Sequence, residues 1–245
     1  MSKKFSNPNQ HLVDNRVLDE AVYQDLIYYD EPKEYFGLVL EEITKELGEP
    51  TSLLDVGCAN GAFLHHARKR FPGTELKGME PLESLATLAH NTLKDIELYN
   101  FGLFDERPER QACLSQAVTL LGVLYIFRDP VKVVKHLLEL VEDGGAGFIF
   151  SPYNEEPIDV LTNYRRAPDG EWQSAHNLFS MVTMEKICAD HGVTCRWRDF
   201  SLSKPIAKTD DPMRSWTEPF RGDPHHIFYG TNMFSTMKLL VMRKP

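Results

Sequence analysis

The sequence lacks three things that would point to common functional classes: an excess of positive charge, paired cysteines and a long apolar run. With 27 Lys and Arg against 36 Asp and Glu, the formal net charge is -9. That argues against a nucleic-acid backbone or an anionic membrane as the main partner, since both reward basic surface. The four cysteines, Cys58, Cys113, Cys188 and Cys195, are scattered with no C-x-x-C pair. Reduced cysteines in or near a core are therefore expected, Cys58 in a turn and Cys113 and Cys195 in strands. No run approaches the ~18 apolar residues needed to cross a bilayer. Residues 1–8 have no apolar signal-peptide stretch, so a cytoplasmic setting is expected. What is present is ordinary globular composition, 42% hydrophobic and 26% charged over 245 residues, enough for one domain with a substantial core.

Residues up to about Asn15 are polar and are expected to be loosely held. From Val17 to Leu47 apolar residues recur at helical spacing, as at Phe36, Leu40, Ile43 and Leu47. This predicts two or three helices, interrupted near Asp30-Glu31-Pro32 and ended by Gly48-Glu49-Pro50. An alternation follows, with strands expected at 53–56, 75–79, 96–101, 117–121 and 147–150. Helices are expected at 62–71, 82–93 and 131–141, the last ended by Gly144-Gly145. Such alternation implies right-handed crossovers and a parallel sheet covered on both faces. Residues 152–179 and 204–229 read as irregular loops over a pocket, with a helix at 184–191 and strands at 193–200 and 237–242 completing the sheet.

The most informative segment is Leu53-Leu54-Asp55-Val56-Gly57-Cys58-Ala59-Asn60-Gly61-Ala62-Phe63-Leu64, a short apolar strand, a small-residue turn and a helix start. Small residues at three alternating positions let the backbone turn sharply and approach a ligand. The free N–H groups of the next helix can hold a negative group. With Asp55 over the turn, the site suits a ligand bearing an ammonium, a carboxylate and a ribose better than a pyrophosphate. Glu80 lies 19 residues beyond Gly61, immediately after the second strand. A carboxylate there accepts hydrogen bonds from ribose hydroxyls.

This turn resembles the cofactor loop of class I S-adenosylmethionine-dependent methyltransferases of the small-molecule type, an acid before G-x-G-x-G, with Ala59 in place of the middle glycine. Two further stretches are similar to the same family. One runs from Ala117 through Gly122-Val123-Leu124-Tyr125 to Asp129-Pro130, and the other joins Gly144-Gly145 to His176-Asn177-Leu178-Phe179-Ser180. The resemblance covers residues 50 to 200. It implies an α/β fold, a doubly wound, seven-stranded, mostly parallel sheet of Rossmann-like methyltransferase type. Residues 1–50 would form an N-terminal helical cap, and 51–245 the catalytic domain with lid segments 152–180 and 203–232. It also implies S-adenosylmethionine as cofactor. Asp55, Gly57, Cys58, Ala59 and Gly61 would line its methionine half, Glu80 and Pro81 the ribose side, Leu103 and Phe104 the adenine, and carbonyls of Leu120 or Leu121 the amino group. The family's acid after the third strand is missing, so adenine recognition falls to backbone groups or to Asp105.

Methyl transfer to an alcohol needs a general base in reach of the acceptor. Candidates are His176, Tyr125, Tyr153, Asp211, His225 and His226, with His176 preferred because its loop overhangs the carboxyl ends of the strands. Adjacent His225 and His226 point to opposite sides if extended, so exposed turn histidines and no metal site are expected. Tyr23, Tyr28, Tyr29 and Tyr35 are expected either to cap the cofactor or to pack in the core, while Trp172 and Trp216, Asp210-Asp211-Pro212-Met213 and Arg165-Arg166 are candidates for substrate contact. The expected reaction is O-methylation of a polar small molecule such as a sugar or natural product, with N-methylation as the alternative. A nicotinamide-dependent oxidoreductase fits less well, since Ala62-Phe63-Leu64 follows Gly61 where G-x-G-x-x-G is required. A non-catalytic binding module is the third alternative. No nucleic-acid or membrane partner is expected, and the oligomeric state is left open.

Overall fold

The structure is a computed structural model that describes residues 28–165, 168–170, 172–174, 176–209, 214–228 and 236–244. The expected helices before residue 28, Tyr23, Arg166 and the Asp210–Met213 run with candidate base Asp211 lie outside the described residues.

Helix α1 (Glu34–Leu47) buries Phe36, Val39, Leu40 and Ile43, one stripe at helical spacing. It ends at Gly48, whose N–H returns to the Thr44 carbonyl at 2.9 Å from a left-handed φ of 73°. Then β1 (Ser52–Val56), α2 (Ala62–Arg70), β2 (Glu75–Met79), α3 (Glu83–Thr92), β3 (Glu97–Tyr99), β4 (Ser115–Leu121) and α4 (Pro130–Leu138) alternate as expected. Asp129 caps α4, accepting the Lys132 N–H, with Pro130 in the first turn.

The fifth strand differs from expectation. Helix α4 stops at Leu138 and β5 (Val141–Asn154) begins well before Gly147. The Gly144-Gly145 pair lies inside the strand, where pairing slips from Ser115↔Val141 to Ala117↔Ala146. Five positions of β5 thus match two of β4. Gly145 tolerates this bulge because a Cβ there would sit 2.6 Å from the Gln116 carbonyl oxygen.

Two segments read as irregular also hold strands. Short β6 (Asn163–Tyr164), β7 (Gln173–Ser174) and β8 (Phe179–Ser180) lie in the first, ahead of α5 (Met181–Asp190) and β9 (Thr194–Asp199). The second contains an antiparallel hairpin, β10 (Trp216–Phe220) and β11 (Asp223–Phe228). Pro219 and Pro224 hide it in the sequence, but Pro219 falls at a register shift where no ladder hydrogen bond is needed. Arg221 and Gly222, with φ of 48° and 89°, make the two-residue turn. The closing strand is β12 (Thr236–Arg243).

The main sheet has the order β3-β2-β1-β4-β5-β12-β9, with two-residue β8 pairing beside β5. Strands β1 to β5 are parallel, and β12 runs antiparallel between β5 and β9. Cores lie on both faces, one packed by Val133, Val134, Leu137, Met184 and Ile187, the other by Phe36, Val39, Ile43, Phe63 and Leu64. The strand order reverses direction between β1 and β4, which opens a crevice at their carboxyl ends. Among the described residues no helix is long and apolar enough to cross a membrane.

Candidate active site

Beyond β1 the chain leaves the sheet through three residues of positive φ: Gly57 at 74°, Ala59 at 49° and Gly61 at 80°. The Gly57 and Cys58 N–H groups both donate to the Met79 carbonyl, at 2.7 and 3.1 Å, tying the turn to β2. A Cβ on Gly61 would lie 2.5 Å from Leu93 Cδ1 and 3.3 Å from the Ala89 methyl, so side chains are excluded there. Ala59 carries the left-handed cost of about 1–2 kcal/mol for a residue with a Cβ. Its N–H is held by Glu80 Oε2 at 2.9 Å.

Glu80 is nearly buried, and its other oxygen accepts the Leu82 N–H at 2.9 Å where α3 begins. Asp55 is 3% exposed at the carboxyl end of β1 and accepts the Thr119 hydroxyl at 2.7 Å. Burial pushes its carboxyl up to about 7, and the Glu80 charge adds to this, while the Thr119 hydrogen bond and the Lys33 ammonium pull it down.

Lys33 stands just before α1, its ammonium 4.8 Å from the Tyr28 ring centre. With Tyr28, Tyr35, Asp55, Ala59 and Leu121 it lines a cleft above the turn. Nothing in the local sequence marks Lys33, a lone cation ahead of an amphipathic helix. The aromatic segment around it closes onto the turn as well. Tyr29 donates its hydroxyl to the Asn60 carbonyl, and His66 Nε2 lies 2.8 Å from the Tyr28 carbonyl. Thiol Cys58 is buried in the same turn, which raises its pKa well above the ordinary thiol value.

At the end of β4, Leu120 turns its side chain into the core while Leu121 reaches the cleft. Gly122 follows with φ of 71°, and a Cβ added there would meet no atom within 4 Å. In the loop after β3, Leu103 is buried in the core and Arg110 donates to its carbonyl at 2.6 Å. Phe104 packs edge-on against Phe127 and His136. Asp105 turns back to accept the Gly102 N–H at 2.8 Å, and a Cβ on Gly102 would lie 3.6 Å from both Asp105 Oδ2 and Pro81 Cβ.

The catalytic candidates separate cleanly. His176 and Tyr125 come together, their rings stacked at 5.4 Å with 13° between planes. Tyr164 tilts against His176 at 6.0 Å. His176 has φ of 56°, an uncommon conformation for a residue with a Cβ, which its neighbour stabilises. That neighbour, Asn177, is 1% exposed. Its backbone N–H donates to the Tyr125 carbonyl at 2.9 Å, and its amide donates to the Phe127 carbonyl at 2.8 Å and to Ser174 Oγ at 3.1 Å. Its Oδ1 accepts the Thr162 N–H at 2.9 Å. The His176-Asn177-Leu178-Phe179-Ser180 stretch contained Asn177, but its four-way bonding crosses 50 residues of sequence and has no local signature.

Other candidates are corrected. Tyr153 is a core residue, fully buried against Trp197, and burial raises its phenol well above the ordinary range, so it is no base. Trp216 is 8% exposed and stacks on Phe228 within the hairpin, away from an open lid surface. His225 and His226 are half-buried in β11, not exposed in a turn. Trp172 is exposed, with the Arg165 guanidinium 5.1 Å from its ring centre. All four cysteines are free; Cys113 lies in a 3₁₀ turn before β4 where a strand was expected. Among the described residues no three His, Cys, Asp or Glu are grouped to hold a metal.

Known proteins match this arrangement. A curated relative, dTDP-3-amino-3,4,6-trideoxy-alpha-D-glucopyranose N,N-dimethyltransferase of Streptomyces venezuelae, is 29% identical over 132 residues. That match spans about half of each protein, 52% of this chain and 55% of the relative. The Streptomyces venezuelae DesVI structure shares the fold at 17% identity and a TM-score of 0.58, covering 93% of this chain and 99% of that one. Burkholderia thailandensis 1,6-didemethyltoxoflavin-N1-methyltransferase, solved with 1,6-didemethyltoxoflavin and S-adenosylhomocysteine, superposes with a TM-score of 0.60 at 14% identity, covering 100% and 93% of the two chains. The family described as "Methyltransferase domain" matches residues 29–196, from the aromatic segment through the acid-flanked turn to β9, and to that family the chain belongs.

Proposed function

We propose that the protein is an S-adenosylmethionine-dependent methyltransferase acting on a hydroxyl of a polar small molecule. The observation that carries this reading is the pair of buried acids, Asp55 and Glu80, on either side of a left-handed turn with no room for a side chain at Gly57 or Gly61. When bound, the cofactor supplies a sulfonium methyl already activated for displacement. The residues present fit it. Asp55 would accept from the α-ammonium, whose charge would offset the burial that raises this carboxyl despite the Lys33 ammonium. Lys33 would face the carboxylate of the amino-acid tail, and Glu80 the ribose hydroxyls. Tyr28 and Tyr35 would cover the cleft and exclude water. The loop at Gly102, braced by Asp105, would meet the adenine through backbone groups.

On the acceptor side, His176 would take the proton of the hydroxyl, with Tyr125 stacked behind it to hold the imidazole plane. Residues 1–50 would serve as a cap, and 152–180 and 203–232 as lid segments. Buried free thiols at Cys58, Cys113 and Cys188 fit a reducing, cytoplasmic setting. One observation favours a second reading, transfer to an amine: the matched relative is an N,N-dimethyltransferase. A neutral amine attacks with its own lone pair, and His176 would then only remove a proton afterwards. Calorimetry with S-adenosylmethionine and S-adenosylhomocysteine, followed by a labelled-methyl screen over sugars, phenols and amines, tests both readings. No heat with either cofactor form would sink the proposal, and label on amines alone would replace the first reading by the second.

A further inference from the structure

A second cavity of about 190 Å³ opens between the ends of β5, β9 and β12 and the β10–β11 hairpin. It shares the carboxyl edge of the parallel strands with the cofactor cleft. Three rings stand between the two spaces. Tyr35 lines the cleft and stacks on Phe150 at 4.2 Å; Phe200 lines the cavity and meets Phe150 edge-on at 5.2 Å.

The cavity is built around Lys238. Its side chain is 7% exposed, and its ammonium lies 2.7 Å from Asp199 Oδ1 and 3.1 Å from Glu155 Oε1. The two carboxylates are 86% and 60% exposed, so each is anchored on one side and open on the other. His225 Nδ1 lies 2.9 Å from the Leu202 carbonyl. That contact makes Nδ1 the protonated nitrogen and leaves Nε2 an acceptor in the neutral ring. Phe200, Ile227 and Met237 supply apolar wall.

This chemistry selects a ligand. An anion is disfavoured, because Glu155, Asp199 and Asp223 outnumber the one ammonium. A wholly apolar group would strip water from those charges and return no hydrogen bond. An ammonium would meet only the outer, solvent-exposed carboxylate oxygens, where water screens the attraction. A neutral ring with several hydroxyls satisfies the rest: each hydroxyl donates to a carboxylate or imidazole and accepts from the ammonium, while its C–H face lies on apolar wall. The volume is below the roughly 300–1,000 Å³ filled by drug-sized ligands, which suits one ring.

We propose that this cavity binds one neutral, hydroxyl-rich ring, the sugar-like part of the acceptor, held by Asp199, Glu155 and Lys238. Only the word acceptor rests on the methyltransferase reading. Saturation-transfer NMR on the full chain, with methyl α-glucopyranoside and glucose 1-phosphate as probes, tests it. The neutral glycoside should bind saturably, at least tenfold more weakly in both Asp199→Asn and Lys238→Met, with calorimetric affinity for S-adenosylhomocysteine unchanged. Lys238→Met leaves only exposed carboxylates behind; should it nonetheless fail to fold, Asp199→Asn, at an exposed site, carries the comparison. Absence of saturable glycoside binding, tighter binding of the phosphate, or indifference to Asp199→Asn overturns the proposal. Glycoside binding without S-adenosylhomocysteine binding would uphold this site and sink the methyltransferase reading; the converse would do the reverse.

Discussion

The turn after β1 and the loop carrying His176 sit at the same end of one sheet but are held in different ways. The turn hangs on backbone: its N–H groups bond the Met79 carbonyl, and its left-handed residues follow directly from a strand buried at every position. The His176 loop adds side-chain bridges to its few backbone bonds, chiefly through Asn177, with Asp159 bonding the Ser180 N–H and Arg128 bonding Asn163. A site built on ladder hydrogen bonds tolerates few residue types and is rigid. One built on side-chain bridges can vary in sequence and open locally, as an acceptor pocket requires.

Removing chemistry from the loop should have the largest effect. His176→Ala is expected to lower kcat roughly 10²–10⁴-fold, the usual range for a lost general base, while S-adenosylhomocysteine affinity stays unchanged. Single-turnover kinetics beside calorimetry would check this; equal losses in both would merge the two regions into one. Glu80→Ala attacks the other side. Hydrogen bonds to charged groups contribute about 1.5–3 kcal/mol, so cofactor affinity should fall roughly 10–100-fold. Stability should drop too, because the Ala59 and Leu82 N–H groups lose their acceptor. Unaltered affinity would remove the ribose role.

Asn177→Ala comes next. It deletes three side-chain hydrogen bonds at a buried site, and kcat/KM should fall roughly 10–30-fold without loss of cofactor affinity. On the proposed reading Asn177 would act through His176, so Asn177→Ala combined with His176→Ala should cost little more than His176→Ala alone. Additive losses would mean that Asn177 merely supports the fold.

The same contrast explains what could be read from residues. Strand β2 and the start of α2 lay where apolar period and small residues foretold them, because burial and φ restrict what those positions accept. The acid pair was visible for the same reason. The β10–β11 hairpin was hidden by Pro219 and Pro224, since the bulge that accommodates a proline is a property of the partner strand. Lys33 and Asn177 were invisible as site residues. Their importance comes from carbonyls and carboxylates distant in sequence, and neither sits in a pattern with a period. Tyr153 misled in the opposite direction, because position near a strand end says nothing of which face a side chain takes when the strand extends to Asn154.

The mildest test sharpens the comparison from the rigid side, through the proton on Asp55. In the folded protein burial holds that carboxyl protonated up to about pH 7. An unfolded chain releases the proton near pH 3.9. Between those values the native state binds the extra proton, so this group's contribution to stability falls as pH rises and levels off above 7. Cofactor binding must run the other way. A cationic ligand against Asp55 favours the ionised form, so affinity should rise with pH to about 7 and then flatten, by somewhat under tenfold between pH 6 and 7.5. Calorimetry in buffers of different ionisation enthalpy should register proton release on binding below pH 7. Thr119→Val removes the hydrogen bond that lowers the carboxyl, so its midpoint should move upward. Asp55→Asn should abolish the slope in both stability and binding. A slope that survives Asp55→Asn would assign the proton elsewhere, and with it the cation's place in the cleft.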